Sequence, residues 1–408
     1  MYTVNRLASA GTNRLSQGWK VMAMNEYSHA LRVFLRQAKM AIATGLLLAA
    51  ALTVPVYGAD PSFKVIFRFD GSDGSEPPAE LIRDNEENLY GMTVYGGPYN
   101  QGEIFKLHQG QLTVLYNFGQ NGTGQGYPIT SLVRDKAGNL YGFELNEVHI
   151  FKLDPSGNYT ELVNTESGNM TLGPDGNLYG PTYQSIFKLN PKTGKFTVLY
   201  TFPGQSDPNG DLVVLPGGNI YGTTRQGGDH GGRGTVYKLS KSGKVTTLHE
   251  FTGGTDGLFP FAGVIRDEAG NLYGTTAGGG DLKCGGGAEP GCGTVFKLDA
   301  GGNFTVLYSF KGKPDGAYPG ARLALDSAGD LYGTSEEGGS EFCRADREHG
   351  CGTVFKIDAN GKETLLHSFK GGDGLFPVAG LLLNPKGNLY GVTADGNHGF
   401  GLIFKITQ

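Results

Sequence analysis

A four-strand unit that recurs seven times, a glycine-rich composition and an offset between the first and last strands predict one fold. It is an all-β, seven-bladed β-propeller with four antiparallel strands per blade. The chain has 69 Gly and 19 Pro in 408 residues, with no triplet period. That is too much glycine for a helical protein, and it suits short strands joined by tight turns.

The strand cores follow in order. One reads Asn88-Leu89-Tyr90-Gly91 and returns at 139–142, 177–180, 219–222, 271–274, 330–333 and 388–391. A second reads Ile104-Phe105-Lys106-Leu107 and returns at 150–153, 186–189, 236–239, 295–298, 354–357 and 403–406. A third reads Val65-Ile66-Phe67-Arg68-Phe69 and begins again near Thr113, Thr160, Thr197, Thr246, Thr305 and Thr364. The segment before each NLYG core, such as Gly263-Val264-Ile265-Arg266-Asp267, supplies a fourth. Alternation with β-branched and aromatic residues makes each a strand. We call them A (before NLYG), B (NLYG), C (FKL) and D (TVLYSF). Turns such as Asp267-Glu268-Ala269-Gly270 and Asp299-Ala300-Gly301-Gly302 join A to B and C to D.

The repeat begins on a D strand and stops on a C strand. Pairing 65–69 with 402–406 therefore completes a seventh blade and leaves no open edge, which an open stack would not need.

Residues 1–59 read as a leader and 60–408 as a single propeller domain. The apolar run 40–56 follows Arg32, Arg36 and Lys39 and precedes the small residues Gly58 and Ala59. This predicts a secretory signal, cleaved after Gly58 or Ala59, and an exported protein. The alternative is an uncleaved anchor, with about 17 residues at the short limit for a span. The leader carries six basic side chains and one acid, leaving 28 basic against 38 acidic beyond it, a net charge of -10. Such a chain repels phosphate backbones, so no nucleic-acid partner is expected. Contact with a membrane is expected only through an uncleaved leader.

The run NLYGTT, a Gly-Gly spacer, GTVFKL, TVLYSF and then Asp-Gly-x-x-Pro resembles the GloVer-type tandem repeats of "choice-of-anchor" bacterial surface proteins. Residues 271–298 and 330–357 carry the pattern best, and the resemblance covers essentially all of 61–408. Blades 2 and 3 depart by shortening the B–C spacer, at Gly142-Phe143-Glu144-Leu145 and Gly180-Pro181-Thr182-Tyr183. The resemblance implies export with a variable anchor and supplies no catalytic residues. With Gln408 just past the last strand, no C-terminal sorting segment is expected.

In such a meander the A–B and C–D turns share one face, and the B–C and D–A loops share the other. The B–C loops 93–103, 223–234, 275–294, 334–352 and 392–401 are long and varied, so binding is expected on their face. The candidate contacts there are Tyr127, Arg225, His230, Phe259, Tyr318, Glu336, His349, Phe376 and His398. Tyr127, Phe259, Tyr318 and Phe376 precede a Pro, and they suit either a sugar platform or inter-blade packing. His230, His349 and His398 suit either a metal or solvent, with solvent favoured. Asp73, Asp256, Asp315 and Asp373 in the Asp-Gly motif suit a turn cap rather than calcium. Glu336 opens a charged loop with Glu337, Glu341, Arg344, Asp346, Arg347 and Glu348.

Cys284 with Cys292 and Cys343 with Cys351 are the only cysteines, and each pair lies within one B–C loop. In an exported chain this predicts two local disulfides rather than a four-thiolate zinc site. No nucleophile motif, cofactor motif or metal motif stands out. The only Trp is Trp19, in the leader, which excludes a Trp-based sugar site. The favoured reading is a non-enzymatic binding or scaffold propeller, with a cell-surface glycan or protein as partner. The rival is a secreted hydrolase or lyase acting on a polysaccharide or a lactone. Two carboxylates close together at the channel mouth would favour the rival.

Overall fold

The computed structural model describes residues 61–120, 122, 126–284, 290–340, 343, 350–396 and 399–408. The leader 1–59 lies outside them. All regular structure in the described residues is strand, arranged as seven sheets of four antiparallel strands. Blade 1 runs Ile82–Arg83 (A), Leu89–Thr93 (B), Glu103–His108 (C) and Gln111–Asn117 (D). Blade 7 takes Leu382–Leu383, Leu389–Thr393 and Leu402–Thr407, and the chain's first strand, Ser62–Arg68, fills its D place. Register pairs Val65 with Phe404 and Phe67 with Ile403, so the ring closes as the offset predicts.

Two motifs are explained by one contact. The Gly of NLYG lies directly opposite the Phe of FKL, as in Gly91 opposite Phe105 and Gly391 opposite Phe404. A Cβ on Gly91 would sit 2.6 Å from the Phe105 ring, and one on Gly391 2.4 Å from the Phe404 ring. Glycine thus lets the C-strand ring lie flat across the B strand. Phe105, Phe151, Phe187, Phe296, Phe355 and Phe404 are wholly buried there, each contributing roughly 2–3 kcal/mol.

The Asn and Tyr of NLYG hold the A–B turn. Asn88 Nδ2 donates to Asp84 Oδ2 at 2.7 Å, and the Tyr90 hydroxyl donates to the same oxygen at 2.9 Å. Asp135 with Asn139 and Tyr141, and Asp267 with Asn271 and Tyr273, repeat this. The A strand itself shrinks to two residues in six blades, and only Pro208–Val214 is longer. As the innermost strand it has no partner on its channel side.

Blades are joined by a recurrent lock. The residue before the loop proline donates its N–H to a carbonyl just before the neighbouring C strand. Tyr127 N–H reaches Gln101 O at 3.0 Å, and Phe259 N–H reaches Arg233 O at 2.9 Å. Glu76 N–H reaches Phe400 O at 3.0 Å, so the closing seam is locked like the others. Gly401 sits in that seam with φ +82°, and a Cβ there would lie 2.6 Å from both Pro77 Cδ and Thr393 O.

Candidate functional site

The central channel opens on the B–C/D–A face, because the segments lining it precede the A strands. Residues of all seven blades enclose a cavity of about 110 Å³ there. The third residue after the loop proline faces it: Glu80, Ser131, Asp211 and Arg322 in blades 1, 2, 4 and 6, with Gly380 in blade 7. Asn169 supplies blade 3. Arg322 Nη1 stands 3.6 Å from Glu80 Oε2. Gly380 makes room for that pair, since a Cβ on it would come within 2.8 Å of Glu80 Oε2. Burial raises the Glu80 carboxyl to about 7, with Arg322 opposing and Asp211 adding to the rise. Burial also raises Asp211, against the pull of Arg322. One guanidinium thus serves two carboxylates, and its Nε has no hydrogen-bond partner.

The expected contact residues are spread around this mouth. Tyr127, Phe259, Tyr318 and Phe376 are half-buried, with φ between +54° and +58°. Glu76 and Asp207 share this left-handed backbone at the same motif position. At every one of these positions but Asp207 the conformation goes with the inter-blade lock, which is why it recurs with unrelated side chains. The Tyr318 and Phe376 rings pack on core clusters, and Tyr127 meets Tyr95 edge-on at 5.3 Å. Arg225 reaches the rim: its guanidinium lies 4.5 Å from the centroid of Phe261, which lines the channel, and 3.5 Å from Asp207. His230 is exposed and pairs with Glu250 at 2.8 Å. Glu336 is exposed, yet nearby protein raises its carboxyl. His349, His398, Glu341, Arg344, Asp346, Arg347 and Glu348 lie outside the described residues.

The Asp-Gly loops cap themselves, with Asp73 accepting from Asp70 N–H at 2.9 Å and Asp373 from Lys370 N–H at 2.8 Å. Both disulfides, Cys284–Cys292 and Cys343–Cys351, are formed. Cys292 and Cys351 are buried in the core, and their carbonyls accept the lock bonds of Tyr318 and Phe376 at 3.0 and 3.1 Å.

Large apolar side chains collect on this face. Of the eight exposed ones among the described residues, six lie in B–C or D–A loops: Tyr95, Tyr99, Ile129, Leu145, Tyr183 and Leu282. The first five belong to consecutive blades 1–3. On the opposite face, two clefts of about 420 Å³ each lie between blades 3 and 4 and between blades 7 and 1.

Sequence reasoning missed the channel ring and one further position, the residue two before the C-strand aromatic. In blades 4–6 it is Thr and bonds a B-strand hydroxyl: Thr224 with Thr235 and Thr276 with Thr294 at 2.8 Å, and Ser335 with Thr353 at 2.7 Å. In blade 1 it is Glu103, opposite Thr93, and in blade 2 it is His149, opposite Glu144. Burial, helped by Asp73, raises Glu103 to about 7, and its Oε2 has no hydrogen-bond partner. Glu144 and His149 are wholly buried, with Oε1 and Nδ1 3.0 Å apart. In both cases the available signal was an ionisable residue where the repeat has a hydroxyl.

These features define a closed repeat propeller with a polar channel mouth and exposed apolar side chains on the same face. The Gloeobacter/Verrucomicrobia repeat model matches residues 55–184, 146–286 and 283–408, and the chain belongs to that family. No curated protein matches it. Among solved structures it is similar to virginiamycin B lyase from Staphylococcus aureus, with TM-score 0.59 and 14% identity over 86% of this chain and 100% of that one. It is also similar to the extracellular domain of a protein described as the hybrid two-component system BT3049 from B. thetaiotaomicron, with TM-score 0.55 and 12% identity over 85% of this chain and 41% of that one. At such identities the likeness is one of fold.

Proposed function

We propose that this protein is an exported binding or scaffold propeller that engages a glycan or protein through its B–C/D–A face. The observation that carries this reading is the concentration of exposed apolar side chains there, with five of the six in blades 1–3. Exposed apolar side chains gathered on one face favour an interaction site there. The two disulfides support an oxidising compartment. No helix among the described residues is long and apolar enough to cross a membrane. The test is a glycan array probed with the protein and with a Tyr95→Ser/Tyr99→Ser/Tyr183→Ser variant. Binding to a defined glycan set, weakened at least tenfold in the variant, is expected. Silence across the array would sink the glycan form and leave a protein-binding or packing role.

The second reading, a hydrolase or lyase, is favoured by Glu80. A carboxyl near 7 beside Arg322 at a channel mouth suits general acid–base work. Turnover of a polysaccharide or lactone that Glu80→Gln abolishes would install it in place of the first.

A further inference from the structure

We propose that Glu144, Glu147 and His149 form a binding site for a divalent first-row transition cation of the zinc class. It would clasp the short B–C turn of blade 2. This goes beyond the proposed function and does not depend on it. Ligand atoms of the three residues all lie within 4.8 Å of one another. Glu144 and His149 are wholly buried, while Glu147 is exposed, so the group is walled by protein and open on one side.

The contact between the buried pair is unusual. His149 Nδ1 and Glu144 Oε1 are 3.0 Å apart, yet Nδ1 has no hydrogen-bond partner, because the approach lacks hydrogen-bond direction. A proton on Nδ1 would therefore be misaimed. Without one, the nitrogen lone pair lies beside the carboxylate oxygen but off its line, with nothing to fill it. A cation between them removes the conflict. Tetrahedral ligand bonds of about 2.0–2.2 Å place neighbouring ligand atoms about 3.3–3.6 Å apart, so the pair at 3.0 Å need open by only a few tenths of an ångström.

The supporting contacts fit the same role. His149 Nε2 lies 2.8 Å from the Tyr159 hydroxyl. If Nε2–H donates to that oxygen, Nδ1 is left free to coordinate, as metal-bound imidazoles require. Tyr159 is held by stacking on Tyr116 and Phe151, with centroids at 4.5 and 5.2 Å. Glu144 is oriented at both oxygens, by Gly126 N–H at 2.6 Å and Glu147 N–H at 3.0 Å. One imidazole with two carboxylates suits zinc or a similar borderline cation better than calcium. The clasp joins the turn to segment 126–127, where Leu145 N–H also bonds Tyr127 O at 3.2 Å.

The test uses the full chain, stripped with chelator and titrated with zinc chloride by calorimetry. The variants are His149→Gln and Glu147→Gln. One zinc per chain is expected, with dissociation constant at or below the micromolar range. Glu147→Gln should weaken it at least tenfold and His149→Gln about a hundredfold or more. Cobalt(II) in place of zinc should give visible d–d absorption that His149→Gln removes. No saturable binding by the parent overturns the proposal, and so does unchanged affinity in Glu147→Gln. Glu147 is exposed, so its variant should keep the fold, which thermal unfolding checks, and it decides the matter even if His149→Gln does not fold.

Discussion

Replacing Glu103 with Thr restores in blade 1 the hydroxyl pair that blades 4–6 already have, and it should stabilise the protein in a pH-dependent way. In the fold the Glu103 carboxyl titrates at about 7, against 4.5 when free of its surroundings. A gap of about 2.5 units at roughly 1.36 kcal/mol per unit sets a ceiling near 3.4 kcal/mol. Protein encloses the carboxylate only in part, although its surface is almost inaccessible, so about 1–3 kcal/mol is a fairer range. A hydroxyl bond from the introduced side chain to Thr93 adds about 1 kcal/mol, and one lost methylene removes about 0.8.

The sign follows from proton counts. Between about 4.5 and 7 the folded state holds the proton that the unfolded state has released. Stability therefore falls as pH rises through that window, and the penalty is complete above it. Glu103→Thr removes the penalty. Its advantage should be near zero at pH 4.5 and reach about 1–3 kcal/mol at pH 8, or roughly 1–4 °C in Tm for a domain of this size. Glu80 loses its proton in the same window, but it is common to both proteins and cancels in the difference. Thermal unfolding of both proteins at several pH values measures this. A gain independent of pH, or none at pH 8, would refute the assignment of a strained carboxylate at this site.

Gly401→Ala should lower Tm far more than Gly387→Ala. Both have φ near +80°, but only Gly401 faces close neighbours, so about 3 kcal/mol or more is expected against about 1. Equal shifts would show that the seam has room. Arg322→Gln should push the Glu80 carboxyl further above 7, since the largest opposing influence is lost. A Glu80 titration followed by NMR in parent and variant checks the direction. Cys284→Ala/Cys292→Ala should cost about 2.5 kcal/mol, the loop-closure value for so short a span. The Tyr318 N–H bonded to Cys292 O should also exchange faster, measured by hydrogen exchange.

The fold was legible because its constraints repeat. Gly91 opposite Phe105 is one contact written seven times, so sequence similarity reports packing directly. Closure was legible because Ser62–Arg68 belongs to a strand type whose partner, Leu402–Thr407, lies at the other end of the repeats. The polar sites were not, and the reason is the same regularity. Glu80, Arg322, Glu103 and His149 are exceptions at single positions, and a search for repeated motifs passes over them. The aromatic residues before proline drew attention because they recur. Their backbone at φ near +55° shows that much of that recurrence serves the lock between blades.

The strand Ser62–Arg68 also sets an order of events. It is made before the six complete blades, yet its only sheet partner is Leu402–Thr407. During synthesis the first strand must wait, unpaired, for the last. A chain interrupted before Leu402 carries six finished sheets, a first strand without its partner and a bare edge at Leu389–Thr393. Two complete copies opened at this seam can pair the first strand of one with the last strand of the other, where the closed ring pairs them within itself. The offset that makes the ring self-sealing therefore also gives an opened, complete chain a route to strand-exchanged polymers.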